Sequence, residues 1–345
     1  MLYVTTRNNA DAYTPQRILT IKRGPDGGLF IPYRIPQFTQ QEIESLSHKS
    51  FNANLADTMN LLFGSHLTSF DIDLAIGRSC VRLQQLGQRI IMGECWHNTD
   101  WQFSRMIRDL SAMVLTEKNT EVELGGWVQT GVRISVLFGI FGELIREDLA
   151  GPTKTVDISM ISGDFFAPIS AWYARTMGLP IGNIVCCVNE NAALWDFICH
   201  GILRTDATAI KTAIREADIV VPEALECLIS LYGGPAEVKR YVDTLHMGNT
   251  YYVEDGLLHR MRQGIYVTVS SETRILTTIP SAYATHRYLL GPAAALAYAG
   301  LQDYRSRTGE MRNALIMTEK SPSHDLEVIS SVMGISVESL KEYFK

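Results

Sequence analysis

Val156-Asp157-Ile158-Ser159-Met160-Ile161, followed at once by Ser162-Gly163-Asp164-Phe165-Phe166, is the stretch on which the fold turns. The first six residues form a short apolar run and read as a buried strand. Ala167 to Met177 is amphipathic and reads as the helix that follows, closed by Gly178-Leu179-Pro180, a Gly-then-Pro stop. A strand that turns through Ser-Gly into a helix presents free backbone N–H groups and the positive end of a helix dipole, which favour an anion. Here that turn carries an acid, Asp164, and two bulky rings. The geometry suits a phosphate; the side chains do not.

The alternation continues outward from this point. Residues 184–188 read as a strand and 191–203 as a helix. Helices are expected over 207–216, 222–232, 235–245, 271–286 and 292–308, and a last strand over 315–318. Upstream, Arg89-Ile90-Ile91-Met92 is a strand candidate, and helices are expected over 100–115 and 128–149. Thr39 caps a helix through Glu44, and residues 50–86 show the three- and four-residue spacing of packed helices. Residues 24–36 hold three prolines and three glycines and are extended. The expected fold class is therefore α/β: a parallel sheet flanked by helices, with ligands at strand C-terminal ends. A helical N-terminal lobe over 1–85 precedes an α/β domain over 86–345.

A net charge of −6 gives no support to nucleic-acid binding, and 46% hydrophobic with 20% charged residues are the proportions of a globular core. The N-terminal residues lack a signal peptide's apolar stretch, and no run reaches the roughly 18 apolar residues of a membrane span. Ile134 to Ile145 comes nearest but is short and contains Glu143. Six cysteines with no CxxC pair read as reduced, mostly buried thiols of a cytoplasmic protein with no metal site.

Several segments fall in an order that resembles the threonine synthase family of fold-type-II pyridoxal-phosphate enzymes. Tyr3-Val4-Thr5-Thr6-Arg7, then Pro25-Asp26-Gly27-Gly28-Leu29-Phe30-Ile31-Pro32, is similar to the family's N-terminal signature. Ser162-Gly163-Asp164-Phe165 resembles its phosphate loop, Ser-Gly-Asn-Phe-Gly. Val188-Asn189-Glu190-Asn191 resembles its Thr-Asn-Glu-Asn strand end, and Tyr288-Leu289-Leu290-Gly291-Pro292 its Tyr-Leu-Leu-Asp-Pro run. The resemblance implies a tryptophan synthase β-like fold and a pyridoxal-phosphate site built on Ser162, Gly163, Phe165, Asn189 and Thr318. It also implies cytoplasmic threonine biosynthesis by a lyase.

The departures fall on the chemistry. In the run Glu94-Cys95-Trp96-His97-Asn98-Thr99-Asp100-Trp101-Gln102-Phe103-Ser104, Glu94, His97 and Phe103 match the family, but its cofactor lysine is Ser104. A serine forms no Schiff base. None of the nine lysines sits in a comparable setting; Lys118 is expected to be exposed. Asp164 puts a carboxylate where the phosphate dianion is expected, a repulsion of roughly 4 kcal/mol at 4 Å and an effective dielectric near 20. Phe166 replaces a glycine, and Gly291-Pro292-Ala293-Ala294 lacks the family's acid and imidazole. The interval from Ser104 to Ser162 is too short for the family's small α/β subdomain, which implies a reduced second subdomain.

These residues leave alternatives. His97 beside Asp100 is a general base or a retained, partly buried histidine. Ser104 is a nucleophile without a placed base or a small polar helix residue. Asp164 is a helix cap or the anchor of a cation. Asn189 and Asn191 are ligand contacts or caps. The leading expectation is a pseudoenzyme scaffold that has lost pyridoxal phosphate and binds an amino-acid-like small molecule, a second copy or a partner subunit. The alternatives are an active lyase that makes threonine from phosphohomoserine, and a cofactor-free enzyme with His97 and Asp164 as its base and acid.

Overall fold

A computed structural model describes residues 1–77, 81–87, 89–96, 103–115 and 125–344. Its centre is a six-stranded sheet. In chain order the ten strands are β1 (Tyr3–Thr5), β2 (Phe30–Pro32), β3 (Arg82–Gln85), β4 (Ile90–Glu94), β5 (Val156–Ile161), β6 (Ile181–Val188), β7 (Ile202–Leu203), β8 (Tyr251–Tyr252), β9 (Ile265–Val269) and β10 (Ala314–Thr318). The large sheet runs β3-β4-β10-β5-β6-β9. All its pairs are parallel except β3 with β4. This is the expected α/β class, and the C-terminal ends of β4, β10, β5 and β6 lie along one edge.

The middle strands are buried on both faces, as parallel strands covered by helices must be. Their few polar residues are satisfied. Ser159 Oγ donates to the Ala297 carbonyl at 2.7 Å, and Asp157 accepts from Asn183 N–H at 2.7 Å. The Ala-rich helix Pro292–Thr308 lies close on the sheet because Gly300 leaves room. A Cβ there would stand 2.3 Å from Cys187 Sγ and 2.5 Å from Thr268 Oγ1.

On the other face, the helix Gly126–Arg146 is buried nearly all round. Its glycines seat a crossing helix, Phe51–Phe63: Gly131 faces the Phe63 ring and Gly139 the Phe51 ring. It is the one described helix long and apolar enough to cross a membrane, and 83% of its most apolar window is buried inside the fold. Gln40–Ser45 and Ser69–Ile76 are further helices of the N-terminal region. Between the helix Phe103–Val114 and β5 the described residues hold only Gly126–Arg146 and no strand.

Several elements differ from expectation. Residues 207–216 form no helix; they run irregularly into one 3-10 turn, Arg215–Ala217. The helices expected over 222–232 and 235–245 join as Leu225–His246, kinked at Gly234-Pro235. Arg82–Gln85, inside a stretch read as helical, is the antiparallel edge strand β3 and pairs into the main sheet. β9 forms the opposite edge. β1 and β2 pair with each other, so the N-terminal arm and the turn-rich segment hold one another in place.

Candidate functional site

A cavity of about 460 Å³ opens at the C-terminal ends of β5 and β10. Ser104, Ser162, Gly163, Asp164 and Thr318, remote in sequence, all line it. The structure thus brings together five of the eight residues singled out from sequence. Phe165 and Asn189 are fully buried and are not among the lining residues. His97 lies outside the described residues, as do Asp100 and Lys118.

The turn after β5 is tight. Phe165 N–H donates back to the Ser162 carbonyl at 2.8 Å, with Gly163 at φ 47° and Phe165 at φ 72°. A phenylalanine in the left-handed region costs about 1–3 kcal/mol, held here by complete burial of its ring. Packing of the two rings is therefore the role of Phe165 and Phe166, and Phe165 supplies backbone geometry rather than a ligand contact. Asp164 Oδ1 accepts the Phe166 N–H at 3.2 Å, while the cap position itself is Phe165. The N–H groups of Gly163 and Asp164 make no hydrogen bond among the described residues.

Burial pushes the Asp164 carboxyl up from its ordinary range; the charge of Arg133 and the Phe166 N–H work against that rise, and Glu319 and Glu223 reinforce it. Arg133 reaches the cavity from the apolar helix Gly126–Arg146. It grips Glu319 with both arms, Nε to Oε1 and Nη2 to Oε2, each at 2.8 Å. Its guanidinium also lies 5.1 Å from the Phe103 ring centroid. Burial lowers the Arg133 pKa, but Glu319 and Asp164 outweigh it and the net shift is upward. Lys320 Nζ is 2.7 Å from Asp325 Oδ1 and 3.9 Å from Glu216 Oε1. Sequence reasoning missed Arg133, Glu216 and Glu319; only the fold juxtaposes them.

Asn189 and Asn191 have another task. Asn189 Nδ2 donates to Thr212 Oγ1 at 2.9 Å and to Asp218 Oδ1 at 2.8 Å. Asn191 accepts the Ile210 N–H at 2.7 Å and donates to the Ile210 carbonyl at 2.9 Å. The strand end of β6 thereby ties down the segment 206–219, which delivers Glu216 and Ile219 to the cavity wall. Burial works upward on Asp218, and the bonds from Thr212 and Asn189 outweigh it and hold its carboxyl below the usual range. Thr318 Oγ1 is occupied as well, accepting from Trp96 Nε1 at 3.0 Å and donating to the Lys320 carbonyl at 3.1 Å.

This set of groups can be tested against pyridoxal phosphate. Two open N–H groups and a Ser-Gly turn suit a phosphate, at about 1.5–3 kcal/mol for each charged hydrogen bond. The Asp164 carboxylate in the same turn opposes it by roughly 4 kcal/mol if 4 Å away, and Glu216 and Glu319 line the same cavity. A covalent cofactor also needs an amine. The cavity's lysine, Lys320, is engaged by Asp325, and Ser104 supplies only a hydroxyl. The described residues that line the cavity do not fit pyridoxal phosphate held through a lysine. Among the described residues no cluster could hold a metal.

Residues 2–80 match the family "Threonine synthase N terminus". The threonine synthase-like 1 protein of Pongo abelii is 29% identical over 159 residues, which are 45% of this chain and 21% of that protein, so the chain spans about a fifth of its relative's length. The crystal structure of PLP-bound threonine synthase from Brucella melitensis superposes with a TM-score of 0.87 at 16% identity, covering 100% of this chain and 98% of that one. Threonine synthase from yeast gives 0.84 at 15%, covering 98% and 91%. Residues 2–80 thus carry a threonine synthase N-terminal region, and the chain as a whole has the fold of these threonine synthases.

Proposed function

We propose that the chain keeps the threonine synthase scaffold without its pyridoxal-phosphate chemistry and binds a small molecule in the cavity at the ends of β5 and β10. The observation that carries this reading is the pairing of Lys320 with Asp325 in a cavity where Ser104 stands at the family's lysine position. Among the described residues that line the cavity, no unpaired amine is left to hold the cofactor. Incubation with pyridoxal phosphate, borohydride reduction and peptide mass mapping test it. The expected result is scattered, substoichiometric labelling; one lysine labelled to stoichiometry would overturn the reading.

A second reading is an active lyase that forms threonine from phosphohomoserine, and the open N–H groups of Gly163 and Asp164 favour it. Rescue of a threonine auxotroph by the chain is its decisive outcome. Both readings put the protein in the cytoplasm, supported by the reduced, buried thiols of Cys186, Cys187 and Cys227.

A further inference from the structure

The cavity's charges are unequally satisfied. Arg133 is taken up by Glu319, and Lys320 by Asp325 with Glu216 nearby. Asp164 is the lining carboxylate with no cation within 4.0 Å among the described residues. One of its oxygens is used by the Phe166 N–H. Beside it, Ser162 is 6% exposed, lines the cavity, and its hydroxyl makes no hydrogen bond among the described residues. A half-buried carboxylate and a buried hydroxyl, both open to one cavity, favour a donor that carries positive charge. The rest of the wall is largely apolar, with Leu137, Ile161, Ile219 and Met317 prominent.

From Asp164 and Ser162 we infer that the cavity takes an aliphatic primary ammonium, bound by ion pairing to the Asp164 carboxylate and a hydrogen bond to Ser162 Oγ. The alkyl body lies against the apolar wall. An ammonium offers three donors, enough for both oxygens of this pair with one left for solvent. The inference rests on the reading that the cavity holds no pyridoxal phosphate. It reverses the sign of the ligand that a Ser-Gly turn ordinarily selects.

Calorimetric titration of the full chain with n-butylammonium, n-butanol and inorganic phosphate tests it. Butylammonium is expected to bind at least tenfold more tightly than butanol, and phosphate is expected not to displace it. Asp164→Asn should weaken butylammonium at least tenfold, and Ser162→Ala about threefold. Equal affinity for butylammonium and butanol overturns the inference without any variant being made. Displacement by phosphate, or unchanged affinity in both variants, overturns it too. Borohydride labelling reports separately on the cofactor: a single labelled lysine sinks the functional reading, whereas weak butylammonium binding without such labelling sinks only this inference.

Discussion

Arg133 and Glu319 meet in a two-armed ion pair, with both N···O distances 2.8 Å, that joins a core helix to the residue just past β10. The two partners are not equally buried: the Arg133 side chain is 11% exposed and that of Glu319 is 31%. Removing one member of such a pair strands the other, and the cost depends on whether water can reach what is left. Glu319→Ala strands a guanidinium in an apolar helix and is expected to destabilise by about 3 kcal/mol. Arg133→Met strands a carboxylate that water reaches and is expected to cost about half as much. Urea unfolding of the two variants measures the difference. Equal costs would show that the burial asymmetry has no energetic weight.

Much of this arrangement was legible from the amino-acid order, and some was not, for physical reasons. β5, its Ser-Gly turn and the helix to Met177 are legible because an apolar run, a turn and a Gly-Pro stop are all local signals. Residues 207–216 looked helical, yet Ile210 and Thr212 give their N–H groups to Asn191 and Asp218. Side-chain bonds from distant residues outcompete the helix there, and no periodicity records them. β9 had a readable signal, the β-branched alternation Ile265-Tyr266-Val267-Thr268-Val269 after Gly264. β3 had none, because Arg82–Gln85 is a mostly polar edge. Arg133 was hidden in a helix that is apolar all round, where no face stands out to mark one buried cation.

Asp164 should make stability depend on pH. Burial raises its folded-state pKa above the unfolded value. Such a group contributes stability that is fully present below the unfolded pKa and is lost as pH rises through the folded pKa. Asp164→Asn keeps an oxygen for the Phe166 N–H and removes the half-buried charge. The variant is therefore expected to melt above the parent at pH 7, with the gain shrinking to nothing as pH falls below about 4. Melting curves between pH 3.5 and 8 check this. A variant that melts below the parent at pH 7 would mean that the carboxylate is stabilising.

Rebuilding the cofactor site asks how many residues separate this cavity from a pyridoxal-phosphate site. Ser104→Lys supplies an amine but leaves the carboxylate in the turn; it is expected to be labelled no more than the parent by pyridoxal phosphate and borohydride. Ser104→Lys combined with Asp164→Asn removes the opposing charge as well. A repulsion of roughly 4 kcal/mol corresponds to about a thousandfold in affinity, so the double variant should label at position 104 at concentrations where the single variant does not. Peptide mass mapping reads the outcome. Equal labelling of single and double variants would remove Asp164 as the obstacle.

Asn189 holds the cavity wall through the segment 206–219, and that role predicts a protease phenotype. Its side chain is completely buried and engages Thr212, Asp218 and the Asn191 backbone N–H. Asn189→Ala leaves those groups without partners at a cost of about 2–3 kcal/mol. Most of that cost falls on the segment rather than on the sheet, because β6 keeps its backbone pairing to β5 and β9. The segment carries Lys211 and Arg215, both trypsin sites. Brief trypsin treatment of the variant is expected to cut at Lys211 and Arg215 several-fold faster than in the parent, with the remainder of the chain equally resistant. Asp218→Asn keeps an oxygen for the Thr212 N–H and should be cut at an intermediate rate. Faster cutting spread evenly over the chain would instead mean that Asn189 supports the whole sheet and has no special hold on the cavity wall.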